Sequence, residues 1–249
     1  MPISIFERLE AVREKRGAVA VALLDPDKKN DNDLLKMVQL VNDSDFDVVF
    51  VGGSLISDNE FESRIKAISE NTDLPVIIFP GSSNQLSKHA DGVLFLSLIS
   101  GRNPQYLIGE HVKSAPVIRN LGIEVIPTAY ILLDGGVRSS VEVISNTSPI
   151  PMNKKDIILA HALAGEYLGN KVIFLEAGSG AKQHAACDII RFLFHQLNIP
   201  IVVGGGVNTP DAAHKLVLAG AGYIVTGTQI ENIPKREPLQ AFTNAIHKQ

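Results

Sequence analysis

Two carboxylates in this sequence stand where short apolar runs stop. Asp25 closes the run Ala18–Leu24 and opens Asp25-Pro26-Asp27-Lys28. Glu176 closes Val172–Leu175 and is followed by Ala177-Gly178-Ser179-Gly180. A carboxylate at a strand end can take a hard cation such as Mg2+ through oxygen ligands. The turn Val51-Gly52-Gly53-Ser54 offers a hydroxyl, Ser54, for the same cation or for a phosphate. The other reading of Asp25, or of Asp27, is as a cap for the helix that follows. Glu176 reads as a general base or as an acceptor for substrate hydroxyls, and otherwise as an ion-pair partner inside the fold.

Glycines mark the places where backbone itself can bind. Ile201-Val202-Val203 ends in Gly204-Gly205-Gly206, and Tyr223-Ile224-Val225-Thr226 ends in Gly227-Thr228. Consecutive strand ends of this kind, late in an α/β chain, match the phosphate grip of a (β/α)8 barrel, where backbone N–H groups face the anion. Gly178, Ser179 and Gly180 can add donors to the same phosphate. Ordinary turn glycines are the alternative. Between the two ends, Thr209-Pro210-Asp211 reads as a helix start, with Thr209 as N-cap and Pro210 in the first turn.

The elements that must position these groups alternate along the whole chain. Strands are expected at Ala18–Leu24, Val48–Val51, Val76–Phe79, Val93–Ser97, Ile123–Thr128, Val172–Glu176, Ile201–Val203 and Tyr223–Thr226. Each is short and evenly apolar, as a strand covered on both faces must be. Helices are expected at Asp33–Val41, Asn59–Glu70, Pro104–Arg119, Lys154–Leu168, Ala181–Gln196 and Asp211–Ala219. Eight such strands favour closure into a (β/α)8 TIM barrel. Gly81–Gly92 is too short for a full helix, so a degenerate turn or a missing helix is expected between strands 3 and 4. Ile131–Pro151 shows no helical period and reads as a loop on the active face that is mobile without ligand. His184, His195 and His214 fall on expected helices away from strand ends, and His111 and His161 are also helical.

Bulk properties narrow the classes. A length of 249 residues fits one barrel, so residues 1–249 read as one domain. A net charge of −4, from 23 basic and 27 acidic residues, argues against nucleic-acid binding. Cys187 is the single cysteine, which excludes an intramolecular disulfide and favours the cytoplasm. Its neighbours place it on a helix against the core rather than in a catalytic role. No run resembles a signal peptide or is long enough to span a bilayer. A soluble protein is expected.

Taken together, the strand ends resemble the geranylgeranylglyceryl phosphate synthase family, which includes bacterial heptaprenylglyceryl phosphate synthases. The matching pieces are Leu24-Asp25-Pro26-Asp27-Lys28, Gly52-Gly53-Ser54, Phe79-Pro80-Gly81-Ser82, Gly101–His111, Leu175–Gly180, Gly204-Gly205-Gly206 and Gly227-Thr228. The resemblance implies a Mg2+-dependent barrel that moves a prenyl group from its diphosphate to the 3-hydroxyl of sn-glycerol 1-phosphate, giving an ether lipid precursor. It implies Asp25 and Ser54 at the Mg2+ beside the prenyl diphosphate. Phe174, Leu175, Glu176, Ala177, Gly178, Ser179, Gly180, Gly205, Gly206, Gly227 and Thr228 then form the glycerol phosphate site. The family more often carries Tyr where this chain has Phe174, so a phenol contact to the acceptor is lost here. Expected partners are these two small molecules, a transient membrane surface for the lipid product, and further copies of the chain in a homo-oligomer.

Three other readings remain at this level. A sugar-phosphate isomerase or aldolase shares the phosphate grip, but no expected strand ends in the Lys that a Schiff-base aldolase needs. A flavin-binding barrel shares the late glycine loops. A non-catalytic phosphate sensor would not need Asp25 and Glu176 together.

Overall fold

The structure is a computed structural model that describes residues 3–232 and 236–247. Eight β-branched and apolar runs pair in parallel, each with the next, into one closed barrel. They are β1 (Val19–Leu24), β2 (Val48–Val51), β3 (Val76–Ile78), β4 (Gly92–Leu98), β5 (Glu124–Leu132), β6 (Val172–Glu176), β7 (Ile201–Gly204) and β8 (Tyr223–Thr226). Closure is made by β8 on β1, with Val19 opposite Tyr223 and Ala22 opposite Thr226. This is the (β/α)8 barrel expected from the alternation.

The period-two alternation of strand side chains sorts each run into two cores. Val19 and Val21, Val48 and Phe50, Val172 and Phe174, and Tyr223 and Val225 fill the barrel interior. Ala20 and Ala22, Val49 and Val51, Ile173 and Leu175, and Ile224 face the helical layer. Because both layers are apolar, the strands carry no polar stripe. The same alternation points Asp25 and Glu176 inward, two residues beyond Leu23 and Phe174. Both carboxylates thus rise from the barrel axis at its C-terminal end.

The surrounding helices are α1 (Ile5–Arg16), α2 (Leu34–Asn42), α3 (Phe61–Ser69), α4 (Gly109–Leu121), α5 (Ser140–Ser145), α6 (Lys155–Tyr167), α7 (Cys187–Phe194), α8 (Pro210–Leu218), α9 (Thr228–Asn232) and α10 (Arg236–Ile246). Helix α1 begins in a capping box between Ser4 and Glu7. It is tied to the barrel's N-terminal end, where the Glu124 carboxylate accepts from the Ile5 and Phe6 amides and Tyr223 donates to Glu10 at 2.6 Å. Thr209 caps α8 by accepting from the Ala212 amide, with Pro210 as the first helical residue.

One expectation about the elements holds and three need revision. The connection from β3 to β4 has turns and no helix, as its length required. Strand β5 runs to Leu132, four residues past the expected end, because Tyr130, Ile131 and Leu132 pair with β6. Residues 131–151 are therefore not one loop; they contain the end of β5, helix α5 and a bridge between Leu133 and Ile150. Helix α7 starts at Cys187 rather than Ala181, because the Lys182 and Gln183 amides turn aside to the Gly135 carbonyl. His184 consequently sits in a turn, and Cys187 is a half-buried first-turn residue.

Candidate active site

The strand ends enclose a cavity of about 740 Å3. Asp25, Ser54, Glu176, Ser179, Gly205, Gly206, Gly227 and Thr228 all line it, so residues far apart in sequence meet at one site. Phe174 and Leu175 are fully buried and Ala177 nearly so. Phe174 lies beneath the cavity, stacked at 5.1 Å on Phe79 and tilted at 5.3 Å against Tyr130, which do line it. Leu175 packs outward under the helices. Gly178 and Gly180 shape the turn behind the cavity wall, with φ of 98° and 71°.

Among the described residues, Glu176 is the only acid of this face that is buried outright, at 7% exposure. Its Oε1 accepts from the Gly178 amide at 2.7 Å. Among the described residues no basic side chain lies within ion-pair distance of it, so the ion-pair reading fails. Burial pushes its carboxyl up to about 7, and the Gly178 hydrogen bond only partly offsets this. A carboxyl with a pKa near neutrality, aimed into a cavity, is suited to accept a proton.

Gly204 and Gly205 make the room for it. A Cβ on Gly204 would stand 2.6 Å from Glu176 Oε2, and one on Gly205 would stand 2.6 Å from Oε1. Gly205 and Gly206 also hold φ of 77° and 71°, a backbone that favours glycine. Among the described residues, the amides of Gly205, Gly206, Gly227 and Thr228 donate to no backbone carbonyl, which leaves them for an anion.

Asp25 faces this arc from β1. Its Oδ1 is buried without a partner, while Oδ2 lies 3.1 Å from Lys29 Nζ. The Asp27 side chain, not Asp25, caps the short turn that follows, accepting from the Lys29 amide at 3.0 Å. Gly53 touches the unpartnered oxygen; a Cβ there would stand 2.6 Å from Oδ1. Among the described residues no three His, Cys, Asp or Glu side chains form a ready-made cation cluster. One orphaned carboxylate oxygen beside a hydroxyl-bearing turn nevertheless fits Mg2+, which binds through one or two carboxylates and fills its other positions with substrate phosphate and water.

Sequence reasoning missed three parts of the site. Gln85, only 3% exposed, donates to the Gly53 carbonyl at 2.8 Å and accepts from the Gly81 amide at 3.2 Å, stitching the β2 and β3 ends together. No local pattern marks such a residue. Ser139 caps α5 and packs under Gly178, where a Cβ would meet Ser139 Cβ at 2.7 Å. The pattern Ser139-Ser140-Val141-Glu142 was its signal, and the Ser139 hydroxyl accepts from the Glu142 amide. The third part is an apolar arm of the cavity along Phe95, Leu96, His111 and Ile118, on the side where β3 and β4 lack an intervening helix. His111 is buried there and its Nε2 bonds the Leu96 carbonyl at 2.8 Å, a structural role.

Comparison with known proteins points the same way. The PcrB family matches residues 10–246. Geranylgeranylglyceryl phosphate synthase of Chitinophaga pinensis is 42% identical over 236 residues, covering 94% of this chain and 93% of its own. The enzyme of that name from Methanosphaera stadtmanae is 38% identical over 234 residues, 94% of this chain and 96% of its own. Among solved structures, (S)-3-O-geranylgeranylglyceryl phosphate synthase from Thermoplasma acidophilum, in complex with substrate sn-glycerol-1-phosphate, superposes with a TM-score of 0.92 at 35% identity, covering 98% of both chains.

Proposed function

The chain belongs to the PcrB family, and from that premise and the geometry of the cavity we propose that it transfers a geranylgeranyl or similar prenyl group from its diphosphate to the 3-hydroxyl of sn-glycerol 1-phosphate. The observation that carries the reading is the meeting of a buried, near-neutral Glu176 with the free amides of Gly205, Gly206, Gly227 and Thr228 in one cavity. The amides suit the glycerol phosphate group. Glu176, beside them, is placed to orient the glycerol and to accept the proton of its 3-hydroxyl. In the step the allylic C–O bond breaks, diphosphate leaves with the electron pair, and the hydroxyl oxygen forms the new C–O bond as its proton passes to Glu176.

Asp25 and Ser54, which line the same cavity, would hold a Mg2+ ion in this reading, and that ion would supply positive charge against the leaving diphosphate. The apolar arm toward Phe95 and Ile118 suits a hydrocarbon tail. The lining aromatics Phe79 and Tyr130, backed by Phe174, keep water from beneath the reacting centre. No helix of the described residues is long and apolar enough to cross a membrane, so a transient surface contact is the proposed route for lipid release.

Incubating the protein with Mg2+, radiolabelled sn-glycerol 1-phosphate and prenyl diphosphates of several lengths tests the proposal. An ether-linked, organic-extractable product is expected. Absence of product with every prenyl diphosphate would overturn it.

A further inference from the structure

We propose that Arg64 is the positioning residue that fixes the cation- and diphosphate-binding half of the cavity, by clamping together the two loops that carry Asp25 and Ser54. The inference rests on the function proposed above.

Arg64 lies on α3 and is 6% exposed, an unusual place for a guanidinium. All five of its N–H donors are used. Nε and Nη2 donate to the two oxygens of Asp31 at 2.5 and 2.9 Å. Nη1 and Nη2 donate to the two oxygens of Asp58 at 2.7 and 2.8 Å, and Nη1 also donates to the Pro26 carbonyl at 3.1 Å. Pro26 and Asp31 belong to the chain leaving β1, Pro26 being the residue after Asp25. Asp58 belongs to the chain leaving β2, four residues after Ser54. One side chain on a third element therefore holds both.

Other side chains tie each loop singly, Asn30 donating to the Asp25 carbonyl and Gln85 to the Gly53 carbonyl, but neither spans both. Between β1 and α2 there is one short 3-10 turn, Lys28–Asn30, and between β2 and α3 there is no regular structure. Their separation is nonetheless tightly set, because Gly53 touches the unpartnered Asp25 Oδ1. Burying a guanidinium against two carboxylates that stay partly exposed is a poor way to gain stability, since its desolvation offsets much of the attraction. It is a good way to fix geometry, because a planar fork with five donors admits one arrangement of its acceptors. Lys carries the charge but cannot reproduce that fork.

Arg64→Lys is the test, with Asp58→Asn as a second variant that leaves Arg64 in place and removes one of its acceptor charges. Binding of Mn2+, titrated by EPR in the presence of inorganic pyrophosphate, should weaken roughly tenfold in Arg64→Lys, the lower end for groups that orient a metal ligand. The apparent KM for Mg2+ should rise in parallel while kcat at saturating Mg2+ changes much less. Calorimetric affinity for sn-glycerol 1-phosphate, whose half of the site comes from β6 to β8, should stay within about twofold of wild type, by the additivity of distant sites. Asp58→Asn should move the same quantities in the same direction. Unchanged Mn2+ binding in both variants would overturn the clamp, and so would equal weakening of both ligands, which a merely structural role produces. Wild-type protein that binds no Mn2+ with pyrophosphate would instead overturn the metal reading itself, and the clamp's role with it.

Discussion

Oε1 of Glu176 stands 2.6 Å from the place a Cβ would occupy on Gly205. A residue of β6 and one just past β7 are thus fitted to each other with no methyl group to spare. Gly205→Ala must strain a backbone at φ 77° and push against both the carboxylate and the Gly178 amide. The expected outcome is a folded protein whose affinity for sn-glycerol 1-phosphate falls at least about tenfold, since strain of this kind costs on the order of 1–3 kcal/mol. Calorimetry reads it, with circular dichroism as the control for folding.

Replacing the carboxylate separates catalysis from binding. Glu176→Gln should lower kcat by about 10²–10⁴-fold, the usual range for a lost general base, while affinity for sn-glycerol 1-phosphate shifts far less. The glycine amides are untouched and Gln can still bond a hydroxyl. Wild-type kcat/KM should fall about tenfold for each pH unit below 7, the pKa to which burial pushes this carboxyl. That limb should vanish in the variant. A variant with near-normal kcat and collapsed binding would make Glu176 a binding residue.

The same residue sets a stability trend of definite sign. The folded protein holds the Glu176 proton up to about 7, whereas the unfolded chain releases it near the ordinary 4.5. Below both values the group costs nothing; as pH rises from 4.5 through 7, the fold must carry a buried charge that the unfolded chain solvates. The cost is on the order of 3 kcal/mol by pH 8. Glu176→Gln should therefore have a higher Tm than wild type at pH 8, with the gap closing by pH 5. Thermal melts at both pH values check it.

Asp25→Asn should keep the fold and lose most Mg2+-dependent turnover, because one anionic ligand goes from a position that fills no core. The measurement is rate against Mg2+ concentration. Near-normal turnover at limiting Mg2+ would place the cation elsewhere.

Helix α5 should answer to the ligand. It is six residues long, stands over the cavity through Val141 and Ile144, and is joined to the phosphate-side turn where Ser139 packs on Gly178. Amide exchange across Ser140–Ser145 should slow when sn-glycerol 1-phosphate is added. Equal exchange with and without it would mean that this helix is not coupled to the site.

Much of the site could be read from sequence because a parallel barrel converts chain order into geometry. Evenly apolar runs ending in Gly mark strand ends, and strand ends share one face, so Asp25, Ser54, Glu176 and the glycines of β7 and β8 were bound to converge. Counting in twos from Val21 or Phe174 even gives the inward direction of both carboxylates. Where the expectation slipped, a distant partner had intervened. Tyr130–Leu132 extend β5 because β6 pairs with them. Lys182 and Gln183 leave a helical pattern because Gly135 offers its carbonyl.

Periodicity and turn glycines are local properties, so chain order alone carried the barrel, its C-terminal face and the residue types available there. Tertiary structure alone decided how those residues behave. Glu176 has a raised pKa because the folded barrel buries it without a cation. Asp25 keeps a bare oxygen because Asp27 takes the capping role. Arg64 and Gln85 reach the site's loops from α3 and from the turns before β4. Solvent exclusion and contacts across tens of residues exist only once the chain has closed.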